Sequence, residues 1–188
     1  MSAITISRQV GSRGDELAAL VARQLSWQLV SRELINAAAV AGGVPQVALA
    51  EVDELSLFGI RPSAREWRAY RSHVERIIHE LAEAGSVVIV GRGGQVVLHG
   101  CPGVLHVRVV APLATRLAWL QQERRLTEVA ARACLETSGR VRARYVRRSY
   151  HADIDDASLY HLVINSGMLE LDQAARLIIR ALEEIGGR

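Results

Sequence analysis

Two kinds of apolar spacing alternate along the chain. Short runs without polar interruption mark strands buried on both faces, and apolar positions three and four apart mark helices that bury one face. Ala3–Ser7 (AITIS) is the first run. Gly11 and Gly14 follow it, then Leu17, Leu20, Val21 and Leu25 at helical spacing. Leu29–Val30 predicts a second short strand, and a helix starts near Arg32 and breaks at Gly42–Pro45. Ser63 and Glu66 have capping-box spacing. Trp67, Tyr70, Val74, Ile77, Ile78 and Leu81 then line one face of a long helix ending near Gly85. Ser86–Val90 (SVVIV) and Val104–Val110 predict two further strands. The first runs into Gly91-Arg92-Gly93-Gly94, and the second precedes Pro112, well placed in the first turn of a helix. Helices follow to about Tyr150, with breaks expected near Arg125 and at Gly139. Tyr160–Asn165 is the last strand. Leu171, Ala174, Ala175, Ile178, Leu182 and Ile185 face inward on a final helix that Gly186 ends.

Strands alternating with helices predict an α/β domain with a five-stranded, mainly parallel sheet flanked by helices. At 188 residues the chain suits a single domain with a sizeable core. Ligands in such folds sit beyond the carboxyl ends of the strands, where two glycine-containing loops fall, residues 8–14 and 91–94.

Composition narrows the chemistry. Hydrophobic residues make up 49% and charged residues 23%, a globular balance. All 23 basic residues are Arg. With no Lys, a lysine Schiff base and a P-loop lysine are excluded, and any one Arg is a weaker signal than usual. The net charge of +3 does not call for a nucleic-acid partner. Cys101 and Cys134 are too few for a disulfide framework or a cysteine zinc site, which fits a cytoplasmic setting. Met1 leads straight into a strand pattern, so no signal peptide is expected. The most apolar stretch, Ile35–Ala50, is broken by Asn36, Gly42, Gly43, Pro45 and Gln46, so no membrane span is expected.

Three features could carry function. The loop Ser7-Arg8-Gln9-Val10-Gly11-Ser12-Arg13-Gly14 joins a strand to a helix N-terminus, where backbone N–H groups and the helix dipole favour phosphate; it is equally a tight turn. Gly91-Arg92-Gly93-Gly94 would let a backbone approach a ligand while Arg92 grips phosphate; it is equally a turn with a solvated Arg. Arg140, Arg144, Arg147 and Arg148 share a helix face, with Arg142 nearby; they could close over a polyphosphate or stay solvated. The histidines show no metal-ligand spacing. Asp153, Asp155 and Asp156 read as a solvated turn that could also assist magnesium or an acceptor, and Trp27, Trp67 and Trp119 as packing residues. Tyr70 and Arg71 could face a nucleotide, although Tyr70 also fits the apolar stripe.

In this order the features resemble the cytidylate kinase-like family, a branch of the P-loop nucleoside monophosphate kinases. The opening Ile4–Leu17 is similar to that family's ITISREYGSGGREI, and Val88–Gly94 to its VIVGRGA. Arg142-Ala-Arg-Tyr-Val146 and Tyr160–Asn165 are similar to its lid and last strand. The resemblance implies a P-loop kinase-like fold, with a helical insert for the nucleoside monophosphate at about 32–84 and a lid at about 125–156. It implies transfer of a phosphoryl group from ATP to a nucleoside monophosphate, with Mg2+. The phosphate-binding loop would be Ser7, Arg8, Gly11, Ser12, Arg13 and Gly14, with Gly91, Arg92 and Gly93 binding nucleotide. Arg13, Arg92, Arg142 and Arg148 would supply the catalytic charge.

The chain departs from the Walker pattern, in which a Lys reaches the phosphates and a hydroxyl holds magnesium. An ungapped match puts the two Walker glycines on Arg8 and Arg13, the Lys on Gly14, and the hydroxyl pair on Asp15 and Glu16. Asp15 is then a helix-dipole residue, a magnesium ligand in place of the hydroxyl, or a charge that repels phosphate. The departures leave open a non-catalytic nucleotide-binding or regulatory protein on the same fold. A nucleic-acid binder using residues 140–148 ranks last, because no aromatic interleaving or recognised motif accompanies the charge.

Overall fold

The computed structural model describes residues 2–44 and 62–186. Its sheet contains β1 (Ala3–Arg8), β2 (Gln28–Val30), β3 (Val87–Val90), β4 (Val104–Val110) and β5 (Leu162–Asn165), in the order β2-β3-β1-β4-β5. Every pairing is parallel, so the sheet is wholly rather than mainly parallel. The helices are α1 (Gly14–Leu25), α2 (Arg32–Ala41), α3 (Ala64–Ala84), α4 (Gly94–Val97), α5 (Leu113–Arg124), α6 (Glu128–Tyr150) and α7 (Leu171–Gly186). The expected breakers Pro45 and Gln46 lie outside the described residues. Among the described residues no helix is long and apolar enough to cross a membrane.

The two faces of the sheet are covered differently. Ile4, Ile6, Val88, Val90, Leu105, Val107 and Val109 pack against α1 and α7 through Leu17, Val21, Ala174 and Ile178. On the other face Ala3, Val87, Ile89 and Val104 meet α2, α3 and α6 through Ile35, Tyr70, Val74, Ile78 and Tyr145. A smaller core joins Val10 to α5 and α6 through Leu117, Leu120, Ala131 and Leu135.

The second face also carries a polar ladder. Thr5 and Ser7 on β1 stand in register with His106 and Arg108 on β4. The Thr5 Oγ1 lies 2.7 Å from His106 Nδ1, and Arg108 Nη1 donates to Ser7 Oγ at 2.8 Å. All four side chains are buried. Burial, then the stacked His161, pushes the His106 imidazole down to about 4, so it is neutral at pH 7.

Local rules account for most boundaries. The capping box at Ser63 is complete: Glu66 N–H donates to Ser63 Oγ at 3.3 Å, and Ser63 N–H to Glu66 Oε2 at 2.8 Å. Thr127 caps α6 by accepting from Ala130 N–H at 3.3 Å. One expectation fails. Gly139 does not break the helix, because α6 runs from Glu128 to Tyr150. A mid-helix Gly costs about 1 kcal/mol relative to Ala. Burial of Ala131, Leu135, Tyr145 and Val146 on either side outweighs that.

Candidate functional site

Strand β1 delivers Ser7 and Arg8 to the carboxyl edge of the sheet, and the chain turns through Gln9–Arg13 into α1. Backbone packing holds this loop. Gly11 has φ +73°, and a Cβ there would lie 2.6 Å from the carbonyl oxygen of Arg116 in α5. Ser12 is fully buried; its Oγ donates to Gln9 O at 2.8 Å, and its own carbonyl accepts from Ser166 Oγ at 2.6 Å. Arg8 is buried, with Nη2 2.9 Å and Nε 3.0 Å from Asp15 Oδ1. Arg13 takes the left-handed N-cap of α1 at φ 56°. Its guanidinium turns outward to Glu16, 2.8 Å away, and its Cζ lies 5.4 Å from the centre of the Trp119 ring. The hydrogen bond from Arg13 to Glu16 raises the pKa of Arg13. The loop, Trp119 and Arg142 line a cavity of about 480 Å³.

The second loop follows β3. Gly91, Arg92 and Gly93 have φ of 82°, 52° and 73°, and Gly94 begins α4. A bulky residue at positive φ is costly and persists only where its surroundings over-determine it. Arg92 meets that condition. It is buried, with Nε donating to Asn36 Oδ1 at 2.9 Å and its Cζ 5.4 Å from the centre of the Tyr145 ring. Asn36 also accepts from the Tyr70 hydroxyl at 3.1 Å. The hydroxyls of Tyr145 and Tyr150 both lie 3.4 Å from the Arg92 carbonyl and donate to it. Burial raises both tyrosine pKa values, so they remain neutral donors. Side chains from α2 and α6 thus hold the second loop, with Tyr70 of α3 bonded to Asn36 behind it. The solvated-arginine alternative for residue 92 is excluded.

Arg142 lies between the loops. From α6 its Nη1 donates to the carbonyl of Arg8 at 2.8 Å. It lines the 480 Å³ cavity with the first loop, and also a narrow one of about 40 Å³ shared with Arg8, Arg32, Gly91, Arg92, Gly93 and Gln95. A third, of about 350 Å³, adds Arg108, Arg116 and Asp155. Burial, then the charge of Arg8, lowers the pKa of Arg142 to about 9. It stays cationic at pH 7 in a place that an anion would relieve.

The arginine stripe splits. Arg140, Arg144, Arg147 and Arg148 are exposed, as expected of a solvated face. Arg147 lies 3.7 Å from Asp153, and Arg148 has its Cζ 4.5 Å from the centre of the Trp67 ring in α3. Arg142, off the stripe, is the member turned toward both glycine loops.

Several buried polar residues were not anticipated, among them Arg108, His106 and Asn36. Arg108 bonds Ser7, pairs with Asp155 and lies against Tyr160, its Cζ 5.7 Å from the ring centre. Asn36 looked like an interruption of an apolar stretch. The available signal was the ladder itself: His106 and Arg108 both sit at alternate positions of β4, the period expected for one face of a strand. The Asp153–Asp156 turn is confirmed. Asp153 Oδ1 accepts from Asp155 N–H at 3.0 Å and Asp156 Oδ1 from Ser158 N–H at 2.9 Å.

Among the described residues no group of three or more His, Cys, Asp or Glu could hold a metal ion. Magnesium that arrives with a nucleotide needs less, because phosphates and water fill most of its shell around one or two carboxylates. Asp15 fits that need. It stands in the first turn of α1 and lines the 480 Å³ cavity with 68% of its side chain exposed.

A family model described as the cytidylate kinase-like family matches residues 3–168. The chain is 24% identical over 149 residues to the uronate isomerase of Corynebacterium glutamicum, covering 79% of this chain but only 28% of that protein. It is also 24% identical over 125 residues to the cytidylate kinase of Methanocaldococcus jannaschii, covering 65% of this chain and 70% of that one. Among solved structures, an uncharacterized protein from Eubacterium ventriosum has a TM-score of 0.78 at 19% identity, over 97% of this chain and 99% of that one. The shikimate kinase of Bacteroides thetaiotaomicron has a TM-score of 0.58 at 12% identity, over 97% and 98%. The fold is that of the P-loop kinases.

Proposed function

This chain belongs to the cytidylate kinase-like family, and from that premise we propose that it transfers a phosphoryl group from ATP to a nucleoside monophosphate. The observation that carries the reading is Arg142, one cation lining both the cavity of the first loop and that of the second. In phosphoryl transfer the protein's work is to position two phosphates and to stabilise charge moving between them. The first loop and the N-terminus of α1 would take the donor phosphates. Arg92 would take the acceptor phosphate, and Arg142 the group in transit. An oxygen of the acceptor phosphate attacks the terminal phosphorus, and the bond to the bridging oxygen of ATP breaks. A nucleoside diphosphate and ADP result. Bound magnesium would add positive charge on the phosphate oxygens, with Asp15 the carboxylate that would hold it.

We assign the helical insert to about residues 32–84 and the lid to about 125–156. The second cavity, at about 40 Å³, has room for little more than water. Acceptor entry therefore requires α2 and α3, or α6, to move outward. Arg13 and Arg148 would join the reacting phosphates only by leaving the Trp119 and Trp67 faces on which they rest.

The test is a coupled assay of ADP formation with ATP, magnesium and each nucleoside monophosphate in turn. Turnover with at least one acceptor is expected. The second reading, a non-catalytic nucleotide binder, is favoured by Gly14 at the position of the lysine. ATP binding without turnover on any acceptor would establish it in place of the kinase.

A further inference from the structure

The glycine at the lysine position has a neighbour that explains it. A Cβ on Gly14 would lie 2.5 Å from the Cβ of Arg8 and 3.0 Å from its Cγ. Gly14 is helical and φ does not demand glycine there; the stem of Arg8 does. The other end of the same side chain reaches the second loop, where a Cβ on Gly91 would lie 2.7 Å from Arg8 Nη1, although Gly91 at φ +82° favours glycine on backbone grounds as well. Arg8 thus reaches from the end of β1, across the start of α1, to the second loop, and each loop has a glycine where it passes.

Among the described residues its ion-pair partner is Asp15, which is largely exposed, whereas Arg8 itself is 8% exposed. Burying a guanidinium to meet a solvated carboxylate is poor value for stability, since desolvation offsets the attraction. A second observation points to a ligand in the same place. Gln95 is 2% exposed and lines the narrow cavity with Arg8 and Arg92, and its Nε2 has no hydrogen-bond partner among the described residues. A buried amide donor and converging guanidinium groups suit an anion with several acceptor oxygens, once the narrow cavity widens to admit it.

We infer that Arg8 is the phosphate-facing cation of this site, that it takes the part a lysine at position 14 would play, and that the two positions are coupled: Gly14 lacks a side chain because Arg8 occupies its space. This rests on the kinase reading for its ligand but not for its steric half. On this account the lost lysine is an exchange of position, and the loop keeps a phosphate-facing cation.

Two measurements test it. The first is a stability cycle that needs no ligand. Gly14→Ala should lower the melting temperature by several degrees beside Arg8, and should cost little or nothing in an Arg8→Gly background. Additive effects of the two changes would overturn the coupling. The second is calorimetric binding of inorganic pyrophosphate without magnesium, alongside ATP. Arg8→Gln should weaken pyrophosphate binding by about 10- to 100-fold, the scale of a charge-assisted hydrogen bond. Arg8→Lys, which keeps the charge, should lose less. Asp15→Asn removes a competing carboxylate and should leave binding of magnesium-free pyrophosphate equal or tighter. If Arg8→Gln does not fold, Arg8→Lys and Asp15→Asn decide, and weaker binding in Asp15→Asn would show that Arg8 serves the ion pair. Wild type that binds pyrophosphate and ATP while Arg8→Gln binds them equally overturns this inference and leaves the kinase reading standing. Wild type that binds neither overturns both.

Discussion

The two glycine loops sit side by side at the carboxyl edge of one sheet, yet different parts of the molecule hold them. The first packs Gly11 against the backbone carbonyl of Arg116, and its own carbonyls take side-chain donors, Ser166 Oγ on Ser12 and Arg142 Nη1 on Arg8. The second is held by side chains from separate helices: Asn36 from α2, and Tyr145 and Tyr150 from α6. The first opens on a cavity of about 480 Å³ and the second on one of about 40 Å³. The open cavity makes a preformed site, and the narrow one a site that opens when its helices separate. On the kinase reading we propose, the first loop would take the donor phosphates and the second an acceptor that enters by moving helices.

The sharpest way to break this contrast is to crowd each loop. Gly11→Ala should cost roughly 3–5 kcal/mol, because a positive φ adds strain and the obstructing atom is backbone that cannot rotate away. Gly93→Ala meets the Tyr150 ring at 2.3 Å, a closer approach but to a side chain that can swing. It should cost less, and should disturb acceptor binding by moving that hydroxyl off Arg92. Chemical denaturation of both variants checks this, and equal losses would contradict the distinction.

Next comes Arg92→Ala. It removes one of the two buried donors to Asn36 Oδ1, leaving the Tyr70 hydroxyl, and should cost roughly 1.5–3 kcal/mol of stability, with a loss of acceptor binding on the same scale. Isothermal titration with the best acceptor would show it, and donor binding should change far less.

Acid should weaken the fold beneath both loops without distinguishing them. His106 titrates near 4 in the folded state, below the 6.5 of a free histidine. Its lowered pKa means the folded state binds fewer protons than the unfolded chain between those values. Its stabilisation is full above pH 6.5 and is lost as pH falls toward 4. Between pH 7.5 and 5 the loss from this group should be roughly 2 kcal/mol. Denaturation at the two pH values, in wild type and in His106→Gln, isolates it, and an equal pH dependence in both proteins would contradict the assignment.

Arg13→Ala should have the smallest effect, under about 1 kcal/mol of stability, since its pair with Glu16 is well exposed and screened. If it also leaves turnover intact, the outward position on Trp119 is its working one.

The sequence made the frame legible because the frame is built from periodicity. The strand runs, the Ser63–Glu66 cap and the inward face of the last helix all lie where their spacing predicts. The two loops were visible as glycines after buried strands. What escaped was polar chemistry hidden inside apolar patterns. Arg108 and His106 occupy alternate positions of β4 among apolar residues, and Asn36 reads as a flaw in a hydrophobic stretch. Only their partners, more than 50 residues away in the chain, give them meaning. Gly139 misled for the opposite reason: its local propensity opposed the helix, and packing on both sides prevailed. In a chain whose cations are all Arg, charge alone could not show that Arg142 turns inward while its neighbours on the stripe stay in solvent.

The central claim is that Arg142 serves both loops at once, and steady-state kinetics of Arg142→Ala beside separate binding of each nucleotide tests it most directly. The account predicts that kcat falls by about 100- to 1,000-fold, the scale for removing one preorganised donor to a transition state, while ATP alone and the acceptor alone each bind within about tenfold of wild type. A loss of binding as large as the loss of kcat would make Arg142 a ligand anchor, and unchanged kcat would remove it from the reaction.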